Sequence, residues 1–275
     1  MLKTILHEYL ETACATILTA FEQLQHPSRR QQAIHQLRVG SKKIRALLAV
    51  AKEIPGYRLK TRSYLSTLRI LQDIGGTSRD TRLQEQVLSH HEKTIGWRFA
   101  VAHLLLKTQL ATADKALEAT VEHLSIKKIS RLPAAFKEAI DDIDETAAID
   151  AIVGHVATMY DETTLPESSA PAASWHNLRK RMKRLYYQLG IVTQLPHHTH
   201  RHRKQLQHAK KAGDLLGQWH DASELLLFVK TTATHIKKEK IPLPEEVSQL
   251  IKLLQKETRE KLADSAKHLR DLGIF

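Results

Sequence analysis

The residues best suited to chemistry in this chain are cations, and they come twice. His35, Arg38, Lys42 and Arg62 recur as His176, Arg179, Lys183 and Arg203 at a fixed offset of 141 residues, and Lys43 and Arg69 are answered by Arg184 and Lys210. No gap is needed between 34 and 88, where 11 of 55 positions are identical, among them Leu37/Leu178, Pro55/Pro196, Gly76/Gly217 and Asp80/Asp221. Arg offers a planar fork of donors to phosphate oxygens, Lys a point charge, and protonated His two donors. The chemistry such residues do together is anion binding. A duplicated set calls for a large, repetitive anion.

Spacing puts the cations in rows. At about 100° per residue, His35, Arg38, Lys42 and Arg45 fall near 0°, 300°, 340° and 280°, inside a stripe about 80° wide. His176, Arg179, Lys183 and Tyr186 repeat those angles, and Lys43, Lys180 and Arg184 extend the basic patch. The following helix is expected to present Arg58, Arg62 and Arg69 on one face, matched by Arg203 and Lys210. Like charges three and four apart repel by a few tenths of a kcal/mol per pair. A bridging anion turns that repulsion into attraction, and a rise of roughly 4.5–6 Å between successive cations suits a chain of closely spaced charges.

Charge is sorted along the sequence. The formal net charge is +12, yet residues 23–72 hold eleven Lys/Arg and one acid, Glu53, and residues 173–213 hold ten Lys/Arg, six His and no acid. The other 184 residues carry a net charge of −8. A solvated surface usually mixes its signs, so this sorting points to an anionic partner. Cys14 is the single cysteine, which excludes an internal disulfide and a cysteine-based metal knuckle and makes a reducing cytoplasm the expected compartment. No apolar run approaches the roughly 18 residues of a membrane span, and the N-terminus does not read as a signal peptide.

The elements that must position these rows are helices. Ten Gly and eight Pro in 275 residues leave few turns, and aromatic content is 5%. Apolar periodicity predicts helices over 3–25, 29–53 with Ser28 as its cap, 57–73, and from a Thr77 or Ser78 cap to about 91, then 95–124. Residues 126–144 read as a helical connector with Pro133 near its start. In the second half helices are expected over 145–162, 174–194, 198–215, 219–239 and 244–271, with a Pro/Ser/Ala-rich loop from Leu165 to Ser174. Gly76 and Gly217 read as helix stops, and Asp80 and Asp221 as caps or orienting partners for nearby arginines. The expected class is all-α: two pseudo-symmetric antiparallel bundles of four to five helices, repeats 1–125 and 145–275, packed as one compact domain over 1–275.

These motifs resemble the CHAD family, the conserved histidine α-helical domain. Its duplicated basic helix reads roughly His-x-x-Arg-Val-x-x-Arg-Arg-x-Arg. The first copy here runs from His35 through Arg38, Val39, Lys42 and Lys43 to Arg45, and the second from His176 through Arg179, Lys180, Arg181, Lys183 and Arg184 to Tyr186 and Tyr187. A Gly-x-x-Arg-Asp element is matched by Gly76-Thr77-Ser78-Arg79-Asp80, and by Gly217-Gln218-Trp219-His220-Asp221 with His in place of Arg. The resemblance spans essentially the whole chain. It implies a helical domain with internal two-fold pseudo-symmetry, whose basic central channel binds inorganic polyphosphate, and an association with polyphosphate granules. Lys42 and Lys43 depart from the pattern by keeping charge without forked geometry, and Tyr186, opposite Arg45, weakens the symmetry or caps one end.

The same residues bear on three rival chemistries. A metal could draw on His197, His198, His200, His202 and His208, but no acid lies between 173 and 213, and Arg201, Arg203 and Lys204 would oppose a cation. The histidines read instead as added positive charge at mildly acidic pH, since free His titrates near roughly 6.5. Nucleic acid suits the net charge, but the basic helices offer few aromatic platforms beyond Trp175, Tyr186 and Tyr187, and no duplex-reading motif. Catalysis lacks a phosphate-cradling Gly loop, paired carboxylates near the cations and an obvious nucleophile. The reading is a non-catalytic polyanion binder that needs no cofactor, with non-specific nucleic-acid binding as the alternative and His-based metal binding behind it.

Overall fold

Apolar residues recurring every three to four positions make helices here, and tertiary burial fixes them. The computed structural model describes residues 1–73, 75–196 and 198–273, and the expectation at His197 lies outside them. Among the described residues there are ten α-helices and no strand: α1 (Leu2–Gln23), α2 (Arg30–Ala51), α3 (Arg62–Asp73), α4 (Gly76–Ile95), α5 (Ala100–His123), α6 (Lys127–Ala139), α7 (Glu145–Asp161), α8 (Ala172–Val192), α9 (His200–Lys238) and α10 (Glu245–Asp271). The all-α expectation is met. No described helix is long and apolar enough to cross a membrane.

The chain forms two compact units, each drawn from three segments. The first comprises Met1–Gly76, Ala116–Thr164 and Lys180–Lys210, and the second Thr77–Lys115, Leu165–Arg179 and Lys211–Phe275. In the first, α1 lays Leu2, Leu6, Leu10, Ile17 and Ala20, all fully buried, against α2, whose Leu37, Ile44 and Leu47 are equally buried. α6 and α7 also pack on α1, α3 packs on α2 and α6, and α7 touches α2. Tyr57 sets its ring 5.9 Å from buried Phe136 of α6. The core of the second unit is Leu88, Phe99, Ala102, Leu106, Leu225, Val229, Leu250 and Leu254, from α4, α5, α9 and α10.

Several boundaries differ from expectation, each for a local reason. Ser28 does not cap α2: Arg29 holds the N-cap position with helical backbone and no side-chain cap bond. α3 starts at 62 rather than 57, because Gly56 takes φ +83° after Pro55 and the chain runs irregular through 57–61. α4 starts at Gly76, so Thr77 and Ser78 are inside it, and the Ser78 hydroxyl donates to Asp114 Oδ1 at 2.9 Å instead of capping. Pro133 sits within α6. The helices expected over 198–215 and 219–239 are one, α9, which passes straight through Gly217. Its two interior glycines, Gly213 and Gly217, cost roughly 1 kcal/mol each, too little to end a helix that buries Ala212, Leu216, Trp219 and Ala222. In the first half the aligned position of Leu216 is Gly75, and there α3 and α4 are separate.

Caps and staples fix some helix ends. Asp144 Oδ1 accepts from the Ala147 N–H at 2.8 Å and caps α7. Glu92 Oε1 accepts from the Phe99 N–H at 2.7 Å and contacts His103 Nε2 at 2.9 Å, tying the start of α5 to the end of α4.

Candidate functional site

Both basic stripes lie on unbroken helices. α2 carries His35, Arg38, Lys42, Lys43 and Arg45, and α8 carries His176, Arg179, Lys180, Lys183, Arg184 and Tyr186. α3 adds Arg62 and Arg69, and the first turns of α9 add Arg203 and Lys210. Arg58 does not join α3; it stands in the irregular stretch 57–61, exposed, and shares no helical face with Arg62 and Arg69. Of the sixteen residues singled out from sequence, only His176 and Arg179 fall in the second unit. The first unit therefore gathers cations from both halves of the chain.

Within that unit Gln72, near the end of α3, holds two arginines. Arg38 donates through Nη1 to the Gln72 backbone oxygen at 2.9 Å, and Arg45 donates through Nη1 to Gln72 Oε1 at 2.7 Å. The last carbonyls of a helix lack partners inside it and carry the negative end of its dipole, so a guanidinium satisfies them well. Nothing in the charge pattern marked Gln72, because it is neutral. The available signal was position: a polar residue one turn before the Gly75–Gly76 turn.

Gly76 makes the Arg38 placement possible. A Cβ built there would stand 2.9 Å from Arg38 Nη1, whereas one on Gly217 would stand 4.0 Å from Arg179 Nε. The two glycines are not helix stops: Gly76 opens α4 and gives Arg38 room, whereas Gly217 is interior to α9 and a Cβ there would make only an ordinary contact with Arg179.

In the second unit the two Gly-x-x-Arg-Asp elements meet. Burial raises the Asp221 carboxyl above its ordinary range, with Arg179, His220 and Arg79 pulling it back down and Asp80 adding to the rise. Burial also lowers His220, helped by Arg179 and opposed by Glu224, Asp221 and Asp80. Arg79 Nη1 lies 3.3 Å from Asp80 Oδ1. The His176 ring sits 4.9 Å from that of His220, while His35, its counterpart, is exposed. Asp80 and Asp221 thus flank Arg79, Arg179 and His220, in keeping with orienting partners.

Not every cation faces outward. Arg181 donates through Nε to Thr163 Oγ1 at 2.7 Å and through Nη2 to the Met159 carbonyl at 2.8 Å, joining α8 to the end of α7. Tyr186 meets Tyr187 edge-on at 5.2 Å, and burial with these two phenols raises Tyr9. Burial pushes the Cys14 thiol up to about 12, so it is a core residue and no nucleophile.

Three histidines of the cluster, His198, His202 and His208, are tied by hydrogen bonds within the fold. His198 Nδ1 bonds the Leu195 carbonyl at 2.9 Å and its Nε2 bonds Arg203 Nη2 at 2.6 Å, so both ring nitrogens are engaged and neither is open to a metal. His202 Nδ1 accepts from the Thr199 N–H at 3.1 Å, and His208 Nδ1 shares a hydrogen bond with the Tyr160 hydroxyl at 3.1 Å. Burial first, then Arg201 for His202 and Lys204 for His208, lowers both below the ordinary value of 6.5. Among the described residues no group of three or more His, Cys, Asp or Glu is placed to hold a metal. A cavity of about 440 Å³ in the second unit, lined by Leu105, Thr108, Thr112 and Phe228 among others, contains none of the sixteen residues.

Similarity to known proteins follows the same pattern. No curated protein matches the sequence. Among solved structures, PptA from Streptomyces chartreusis is 16% identical with a TM-score of 0.63, over 98% of this chain and 98% of that one. The CHAD domain from the plant Ricinus communis is 18% identical with a TM-score of 0.68, over 99% of this chain and 91% of that one. At such identities they speak for the fold. The family model of the CHAD domain matches residues 8–230. A chain whose duplicated basic helices, all-α architecture and matched span agree in this way belongs to the CHAD domain family.

Proposed function

We propose that this protein binds inorganic polyphosphate, or a polyanion of similar charge spacing, and catalyses no reaction on it. The observation that carries the reading is that one compact unit gathers basic residues of both halves of the chain, from residues 23–72 and 180–210, in which Glu53 is the single acid. On this reading the chain is one domain of two internal repeats, about 1–125 and 145–275 with a connector at 126–144. Arg38, Lys42, Lys43, Arg45, Arg62, Arg69, Lys180, Lys183, Arg184, Arg203 and Lys210 grip phosphates, and they line the channel that the CHAD resemblance implies. His35 and His176 add donors, Tyr186 marks the less basic half, Arg58 contributes from its loop, and Arg179 works beside Asp221. Membership of the CHAD family supports a binding role and a polyphosphate-type partner. Polyphosphate granules in the cytoplasm are the corresponding location.

Affinity for a polyphosphate backbone falls steeply with salt as bound counterions are released. The test is a gel shift against polyphosphates of graded length, with short duplex DNA as competitor at equal phosphate concentration. Arg38→Ala with Arg179→Ala should weaken binding far more than Lys237→Ala with Lys238→Ala. Equal losses from the two double variants would overturn the assignment of the site, and displacement by DNA would make the partner a nucleic acid.

A further inference from the structure

We infer that Gln72 is a positioning residue for polyanion binding: a neutral clamp that aims Arg38 and Arg45 without cancelling their charge. The inference rests on the reading just proposed and adds to it a residue of no charge.

Arg38 and Arg45 are seven residues apart on α2 and share one face, their backbone positions spaced along it by two turns, roughly 10.5 Å, while both Nη1 atoms converge on Gln72. A long cationic side chain on an exposed face samples many rotamers, and immobilising one on binding costs roughly 0.5–1.5 kcal/mol. Gln72 removes part of that cost beforehand. Its backbone oxygen takes the Arg38 donor and its side-chain oxygen the Arg45 donor, at 2.9 and 2.7 Å. Arg45 is exposed and has further N–H groups to offer a phosphate.

The acceptor's neutrality matters. A carboxylate would hold a guanidinium more tightly, through a charge-assisted pair, but would cancel the charge a polyanion needs. Arg45, the exposed one of the two, takes the neutral amide oxygen of Gln72. The second half lacks the clamp at both ends: the position aligned with Arg45 is Tyr186, and the position aligned with Gln72 is Gly213, which has no side chain to accept a bond. Arginine and acceptor are present together in one half and absent together in the other.

A double-variant cycle on affinity for a defined linear polyphosphate, with the salt dependence recorded at each corner, tests this. Gln72→Ala should weaken binding about threefold to tenfold with the slope of log affinity against log salt unchanged, since no charge is lost. Arg45→Ala should lower that slope by about 0.7–0.9, and adding Gln72→Ala to it should cost no more than about twofold further, because the backbone oxygen that holds Arg38 remains. Gln72→Glu should keep Arg45 in place yet lower the slope as Arg45→Ala does. Thermal melts of all four proteins should coincide within a few degrees. Equal losses from Gln72→Ala with and without Arg45 would overturn the inference while leaving polyanion binding standing. A wild-type protein that binds no polyphosphate would overturn the functional reading and this inference with it.

Discussion

Arg38 and Gly76 are in close register: the Nη1 atom of the arginine lies 2.9 Å from where a Cβ on the glycine would be, and the same atom donates to the Gln72 carbonyl. The obstructed group is the far end of a flexible side chain, so a methyl at 76 can be accommodated only by moving the guanidinium. Gly76→Ala should leave the melting temperature nearly unchanged and weaken polyphosphate binding about threefold to tenfold. Gly217→Ala should do the reverse. Its Cβ would meet Arg179 at 4.0 Å, an ordinary contact, inside α9, where Ala is favoured over Gly by about 0.5–1 kcal/mol. The melting temperature should rise with affinity within about twofold of wild type. Thermal denaturation and a titration with labelled polyphosphate check both.

Arg181 and Arg184 lie three residues apart on one basic helix and should fail differently. Arg181 is committed to Thr163 and the Met159 carbonyl, and the Thr163 side chain is buried. Arg181→Ala should destabilise the protein by about 1–3 kcal/mol through lost charged hydrogen bonds. It should leave the salt dependence of binding as it was. Arg184 is exposed, and Arg184→Ala should lower the salt slope by about 0.7–0.9 with little change in stability. Denaturant midpoints and binding at several salt concentrations separate the two.

Much of this arrangement is legible in the sequence, and the gaps have physical causes. Periodicity located the helices because burial selects one face of each. It could not show that α9 is continuous, because Gly217 is a stop or an interior residue depending on what packs over it. Charge counting took Arg181 for one more cation of the motif. Its aligned position in the first half is Gly40, and on α8 it sits about 140° from His176, off the stripe; those two signs point to a structural role. Gln72 carries no charge and is not repeated, so no reading of cations could reach it. The state of His202 and His208 depends on burial and on Tyr160 and Arg201, which only the folded chain brings to them.

Those two histidines give a prediction about binding. Because burial and neighbouring cations lower both below the ordinary value, acidification from pH 7.5 to 6 draws less positive charge from them than from free imidazoles. Replacing both, as His202→Gln with His208→Gln, should leave polyphosphate affinity at pH 6 within about twofold of wild type. A loss of tenfold or more in equilibrium titrations would restore them as part of the basic surface.

His91 ties α4 to α10 and sets the direction of acid sensitivity. It is 5% exposed, lies 3.1 Å from Glu257 Oε2, and faces His90 and Lys261 as well. Burial lowers it below 6.5 against the pull of Glu257, with His90 and Lys261 adding to the fall. The folded chain therefore binds fewer protons at this site than the unfolded chain once the pH drops below 6.5. Its stabilising effect is complete above that value and is lost as the pH falls through it. His202, His208 and His220 act in the same sense. Asp221 acts in the opposite one, since its raised carboxyl takes up protons in the fold and offsets part of the loss at the acid end. The urea midpoint of the wild-type protein should fall between pH 7 and 5.5. His91→Gln, which keeps a neutral hydrogen-bonding group facing Glu257, should flatten that fall; an undiminished slope in the variant would show that His91 takes up its proton in the fold as readily as in the unfolded chain.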